Sequence, residues 1–115
     1  NLKEICKKAL KKKEIMISDS FFNIFNSGSG SRKHHHIGQQ DKNFRLYSHK
    51  YSLVYYLDVG DQSSVEPGIL KLYKPYEEIL PSNGMIIIIN SSKIHSVSYL
   101  GKKDRVMVGL NFYAF

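Results

Sequence analysis

The sequence predicts an all-β domain with a single helix at its front, folded as a double-sheet jelly roll. Three observations carry that prediction. Seven or eight apolar runs have strand length rather than helix length; turn-forming residues separate them at intervals of about 8–12 positions; and helical periodicity is confined to the opening segment. A jelly roll suits such a pattern because it protects strand edges and leaves an open mouth between its two sheets. At 115 residues the chain is read as one domain, 1–115, with one modest core.

The elements follow in order. Leu2, Ile5, Cys6, Ala9 and Leu10 fall at i, i+3, i+4, i+7 and i+8, so Asn1 to about Lys13 reads as an amphipathic helix, with 1–14 as a supporting segment. Its lysines occupy the other face, and its apolar face lacks the bulky Trp or Phe of a membrane-surface helix. It is therefore expected to pack on the outside of a sheet. Ile15, Ile17 and Phe21 to Phe25 are β-type residues that open the first strand. Ser27 to Ser31, SGSGS, reads as a flexible loop or turn that runs into Arg32-Lys33-His34-His35-His36 and a strand-like continuation. Gly38 to Asn43 is polar and expected to be loop. Ser52 to Leu57, SLVYYL, is apolar almost throughout, as a strand buried on both faces would be.

Asp58 to Gly68 is rich in Gly, Asp, Ser and Pro and reads as turns. Ile69 to Tyr73 is a short strand and Lys74 to Glu78 a connection. Pro81 to Gly84 is a tight turn. Then come a buried strand (Met85 to Ile89), a turn (Asn90 to Ser92), a strand carrying His95, a charged turn (Gly101 to Asp104) and a strand opening with Arg105.

Composition narrows the setting. The formal charge is +7, but six lysines against Glu4 within residues 1–13 carry +5 of it and leave about +2 for the remainder. No basic face interleaved with base-stacking aromatics can be located, so a nucleic-acid partner is not expected. No stretch approaches the ~18–20 apolar residues of a membrane span, and the Lys-rich opening lacks the apolar core of a secretory signal. One cysteine, Cys6, excludes an intrachain disulfide framework and fits a reducing compartment. The expectation is a cytoplasmic protein, and the Lys, Ile, Asn and Tyr bias suggests an AT-rich bacterial or phage genome. The first residue is Asn rather than Met, so the start is expected to be missing or processed; the short length implies a missing part or a fold completed in a homodimer.

The chemistry-bearing residues are few. In an extended segment, His34 and His36 share one side and His35 takes the other. A pair at i, i+2 with a remote third ligand, His95, is how a rigid β-scaffold offers three imidazoles to one face of a metal and leaves other positions open. Imidazole suits iron, zinc, copper or nickel. Taken singly, the same histidines also read as solvated loop residues and one structural histidine.

The arrangement downstream of Gly84 adds specificity. Gly84, ten residues, His95, ten positions to Arg105, then Gly109-x-Asn111-Phe112, resembles the C-terminal half of the 2-oxoglutarate- and iron(II)-dependent dioxygenases. Upstream, Ser52-x-Val-Tyr-Tyr-Leu resembles a family strand, Glu66 to Tyr73 resembles its Gly-Gly-Glu-Leu segment, and Asn23-x4-Gly28-x5-His34-x-His36 resembles a branch whose first-ligand motif is His-x-His. The resemblance spans roughly residues 21–113 and implies a double-stranded β-helix, the cupin-like barrel. It implies Fe(II) held by His34, His36 and His95, and 2-oxoglutarate anchored through its C5 carboxylate by Arg105 with Tyr56. O₂ would be the co-substrate, and the primary substrate a small molecule or a protein side chain. A planar guanidinium fork suits a carboxylate, which is the physical sense of Arg105.

The pattern departs from the family in two places. The third ligand is usually a carboxylate; here the position is His36, and Asp41 is a lower-ranked alternative that requires the loop to fold back. Met107 stands where Ser or Thr is common. The runner-up reading is a cupin, whose two metal motifs are approximated by Gly28-x5-His34-x-His36-x4-Asp41 and Gly84-x10-His95. Such a protein has three His ligands and no need for Arg105; its second motif usually has Pro where this chain has Asn90. A third reading is a metal-free β-domain that binds a partner through its Tyr-rich surface.

Overall fold

A helix, α1 (Leu2–Leu10), opens the structure. The computed structural model describes residues 1–25, 29–43 and 46–115, with side chains described except at 25–34, 40 and 43–45. The Asn1 side chain caps α1 by accepting the Lys3 N–H at 2.9 Å, which satisfies one of the free donors of the first turn. The helix stops short of the expected Lys13 because Lys11 turns left-handed (φ 54). Lys13 and Glu14 then donate to the Phe115 carbonyl and lead into the sheet.

Eight strands follow among the described residues: β1 (Ile15–Phe25), β2 (Ser29–His34), β3 (Lys50–Asp58), β4 (Pro67–Leu72), β5 (Glu77–Ile79), β6 (Ile86–Asn90), β7 (His95–Tyr99) and β8 (Arg105–Ala114). They form two four-stranded antiparallel sheets, β1-β8-β3-β6 and β2-β7-β4-β5. Consecutive strands alternate between sheets for much of the chain, as in the predicted double-stranded β-helix.

The two faces of the first sheet have different tasks. Leu53, Leu110, Phe112, Ile15 and Ala114 form the outer core, closed by Cys6 of α1 with Leu2 and Leu10 packed against it. The helix therefore sits outside the sheet, where its apolar stripe placed it. On the inner face Tyr56 and Met107 pack with Val59. Both faces of β3 are thus covered, which is why its apolar run hardly alternates.

Three local expectations change. Ser29 to Ser31 is strand rather than flexible loop, because pairing with β7 supplies backbone partners; Ser27 and Gly28 lie outside the described residues. Gln39–Asn43 forms a short helix, α2, in the stretch read as loop. Within the expected connection Lys74 to Glu78, Glu77 begins β5, which pairs with β4. Among the described residues no helix is long and apolar enough to cross a membrane.

Candidate metal and co-substrate site

Arg105, the first residue of β8, is fully buried. Its Nε donates to the Val59 carbonyl at 3.3 Å and its Nη1 to the Gly68 carbonyl at 2.8 Å. Its Nη2 is buried and has no hydrogen-bond partner among the described residues. The rings of Tyr56 and Tyr99 lie 5.5 and 5.2 Å from the guanidinium carbon, two cation–π contacts that partly replace lost hydration. No described carboxylate forms an ion pair with it. Burial pulls its pKa below the ordinary value, against the opposing effect of Tyr56 and Tyr99, yet a guanidinium stays charged. A buried cation that lines a cavity and keeps an unpaired Nη2 is a candidate site for an anion.

The surroundings of Arg105 are built for close approach. Gly68 has φ +87, and a Cβ there would run into the guanidinium. Fully buried Tyr99 accepts the Asp61 N–H at 2.9 Å and donates to the Lys103 carbonyl. Gly60 and Gly101 leave room for its phenol, since a Cβ at either would strike it. One tyrosine thus fastens the β3–β4 and β7–β8 loops over the arginine.

His95 opens β7 and is buried. Its Nδ1 lies 3.0 Å from the Lys93 carbonyl, which can only accept, so Nδ1 carries the proton and Nε2 of the neutral ring offers its lone pair. That Nε2 lies 3.2 Å from Nε2 of His36, with the rings stacked at an interplanar angle of 9°. Imidazoles bind divalent metals such as zinc at ~2.0–2.1 Å, so nitrogens this far apart subtend about 100° at a shared ion, the separation of two neighbouring ligands. His36 is held through its backbone, its N–H donating to the Ser91 carbonyl at 2.7 Å. His34 ends β2 opposite His95 in the strand register, and its side chain lies outside those described. His35 is exposed and accepts the Ile37 N–H on its own Nδ1. Among the described residues no group of three His, Cys, Asp or Glu converges; two expected donors are adjacent.

The imidazole pair and the arginine line one cavity of about 140 Å³ between the sheets. β1, β3 and β8 contribute Phe21, Asn23, Val54, Tyr56, Arg105 and Met107, while Leu70, His95 and Val97 face them from β4 and β7. Gly109 lets the Phe21 ring lie against β8, where a Cβ would overlap it. Burial raises the Tyr56 pKa, with Arg105 opposing, so the phenol keeps its proton and remains a donor at neutral pH.

Asp41 is not in this cavity. Its buried carboxylate accepts from the Gly38 N–H at 2.7 Å, from Lys50 Nζ at 2.9 Å and from the Tyr113 hydroxyl. The α2 turn directs it onto β3 and β8, where it lines a separate depression with Ser18, Lys50 and Tyr113. Asp41 is an anchor for the loop and does not approach the imidazole pair.

Sequence reasoning brought Arg105, Tyr56, His36 and His95 to one place but assigned no role to Tyr99, Gly60, Gly68 or Gly101. The available signal was the positions of the glycines, and nothing in a single sequence tells which side chain a glycine makes room for.

No protein-family model matches the chain, and no curated protein sequence matches it. Solved structures do. An oxidoreductase of the 2OG-Fe(II) oxygenase family from Burkholderia pseudomallei is 14% identical with a TM-score of 0.74, over 96% of this chain and 49% of that one. The viral collagen prolyl hydroxylase of Paramecium Bursaria Chlorella virus-1, in complex with 2OG, is 12% identical with a TM-score of 0.75, over 99% and 71%. A cupin protein from Bacteroides fragilis is 12% identical with a TM-score of 0.55, over 93% and 72%. The chain spans about half the length of the Burkholderia protein. These likenesses establish the fold, a double-stranded β-helix common to the oxygenases and the cupins.

Proposed function

We propose that the chain is the catalytic barrel of a non-haem iron(II)- and 2-oxoglutarate-dependent dioxygenase, a hydroxylase whose primary substrate is a small molecule or a protein side chain. One observation carries the reading: Arg105 is buried and lines the cavity that holds the His36–His95 pair, with its Nη2 left without a partner among the described residues. A cupin's metal chemistry leaves that arginine without a purpose. The overlap with an oxygenase-family protein and a collagen prolyl hydroxylase supports the same reading.

In this reading His36 and His95 hold the metal through Nε2, with His34 as the third donor. Three neutral imidazoles leave the centre one charge more positive than the usual two-histidine, one-carboxylate set, which favours a dianionic co-substrate. Arg105 takes the far carboxylate of 2-oxoglutarate, its fork oriented by the Val59 and Gly68 carbonyls and in cation–π contact with Tyr56 and Tyr99. Tyr56 offers its phenol proton nearby. Val54, Leu70, Val97 and Met107 keep the middle of the cavity apolar and limit water. Bound iron(II) supplies O₂ activation, in which 2-oxoglutarate is oxidised to succinate and CO₂ while one oxygen atom enters a C–H bond of the substrate.

The test is succinate formation from 2-oxoglutarate with iron(II), O₂ and ascorbate, alongside calorimetric binding of 2-oxoglutarate under anaerobic conditions. Turnover or metal-dependent binding, lost in His95→Ala and His36→Ala, is the expected result. A wild-type protein that neither binds nor consumes 2-oxoglutarate refutes the proposal.

A further inference from the structure

The turn joining β6 to β7 holds both imidazoles, one through the backbone and one through the ring. The Ser91 carbonyl accepts the His36 N–H at 2.7 Å, and two residues on the Lys93 carbonyl binds Nδ1 of His95 at 3.0 Å. We infer that this turn, Asn90–Lys93, is the positioning device of the metal site, with Asn90 and Ser91 as positioning residues. The inference rests on the reading that His36 and His95 hold a metal.

The turn is fixed in two ways. Within it, Asn90 Oδ1 accepts the Ser92 N–H at 2.9 Å and the Ser92 hydroxyl at 2.6 Å, while the Asn90 carbonyl accepts the Lys93 N–H at 2.9 Å. This is a side-chain-closed Asx turn. Beyond it, fully buried Ser91 is tied to the sheet: its N–H donates to the Lys50 carbonyl at 2.9 Å, and its hydroxyl lies 3.1 Å from that of Ser52. Ser52 donates its only hydroxyl proton to Asn111 Oδ1 at 2.7 Å, so Ser91 is the donor in the serine pair. Asn111 Nδ2 continues the chain to Asp19 at 3.1 Å. A polar line therefore runs from β1 through β8 and β3 into the turn, and its last links are the carbonyls that set the two histidines. Buried polar groups are costly unless satisfied, and this line is satisfied link by link.

A nitrogen pair at 3.2 Å fits one ion only while both rings keep their places, and outer partners of ligating histidines typically carry 10–100-fold of metal affinity. Removing the Ser91 hydroxyl or the Asn90 carboxamide leaves every metal-facing atom in the chain but frees the two carbonyls.

The test uses Co(II), whose visible absorption reports coordination, with wild type, Ser91→Ala, Asn90→Ala, Ser91→Thr and His36→Ala. The expected result is a roughly 10- to 100-fold loss of Co(II) affinity in Ser91→Ala and Asn90→Ala, with recovery in Ser91→Thr, which keeps a hydroxyl. In the metal-free protein the His36 amide should exchange with deuterium at least ~10-fold faster in both alanine variants, while the Leu53 and Phe112 amides keep their protection. Asn90→Ala lies on the turn rather than in the core and carries the test if Ser91→Ala does not fold. Co(II) affinity and His36 exchange at wild-type levels in the alanine variants, with binding abolished by His36→Ala, overturn this inference and leave the metal reading standing. A wild type that binds no Co(II) overturns both.

Discussion

Arg105→Met separates the anion site from the fold. The substitution keeps most of the side-chain volume and removes the fork. Two carbonyls, Val59 and Gly68, lose their donors, at about 1–3 kcal/mol each. Against this, a buried charge with an unpaired N–H disappears, and such charges cost several kcal/mol. The two terms oppose, so ligand-free stability should stay within about 2 kcal/mol of wild type. Ligand binding should weaken sharply. Truncating one partner of a buried, hydrogen-bonded charge pair costs about 2–5 kcal/mol, or roughly 30- to 4,000-fold in 2-oxoglutarate affinity. Thermal unfolding reads both quantities at once. With Co(II) present and 2-oxoglutarate at about 100 times its Kd, wild type gains about 2.7 kcal/mol, a rise in Tm of about 10 °C for a chain of this size. Arg105→Met should melt near the ligand-free wild type and rise by no more than about 4 °C at the same ligand concentration. A variant that retains the full rise removes Arg105 from the site.

Two further substitutions test its neighbours. Gly68→Ala should lower stability by about 1 kcal/mol or more, because φ is +87, and should weaken 2-oxoglutarate binding, because the new methyl displaces the guanidinium. Gly84→Ala is the control, with φ +83 but no atom within 4 Å of the new Cβ: calorimetry should show lost stability with unchanged affinity. Asp41 is pushed up by desolvation, but hydrogen bonds from Tyr113, Gly38 and Lys50 outweigh this and hold its pKa below the ordinary value. Its stabilisation is therefore complete above about pH 4 and is lost as pH falls through the lowered folded-state value. Asp41→Asn should cost about 3–5 kcal/mol at pH 7, where Lys50 loses its partner. It should also flatten the acid limb of a urea-denaturation series between pH 5 and 2.

Much of this architecture was legible in the residues. Strand-length apolar runs and their punctuation placed β3, β4 and β6–β8 to within a few positions, although β6, expected to be buried, is half-buried throughout. The Ser29–His34 strand was not legible, since a Gly/Ser segment has no apolar signal and becomes a strand only through its partner. The His95–Arg105 half of the candidate site was readable because each residue opens a strand and a short turn fixes the distance between them. The proximal half was less so. Asp41 looked available as a carboxylate, and only the fold shows it held by Lys50 and Tyr113. Asn90 to Ser92 reads as a turn from its residues, but its role and that of Tyr99 are not legible for the same reason: they are contacts between distant segments.

The pairing of β1 with β8 has a kinetic consequence. Its partners are 80 to 99 positions apart in the chain, from Phe25 with Arg105 to Ile15 with Ala114. Closing so long a loop is slow relative to forming local turns, and topologies dominated by such pairings fold over milliseconds to seconds. His95 and Arg105 lie on successive strands, but Phe21 and Asn23 reach the cavity only when β1 docks. A ligand that needs the closed cavity has nothing to bind before that event. It acts as a brake on unfolding rather than a template for folding, lengthening the lifetime of the finished barrel without hastening its assembly.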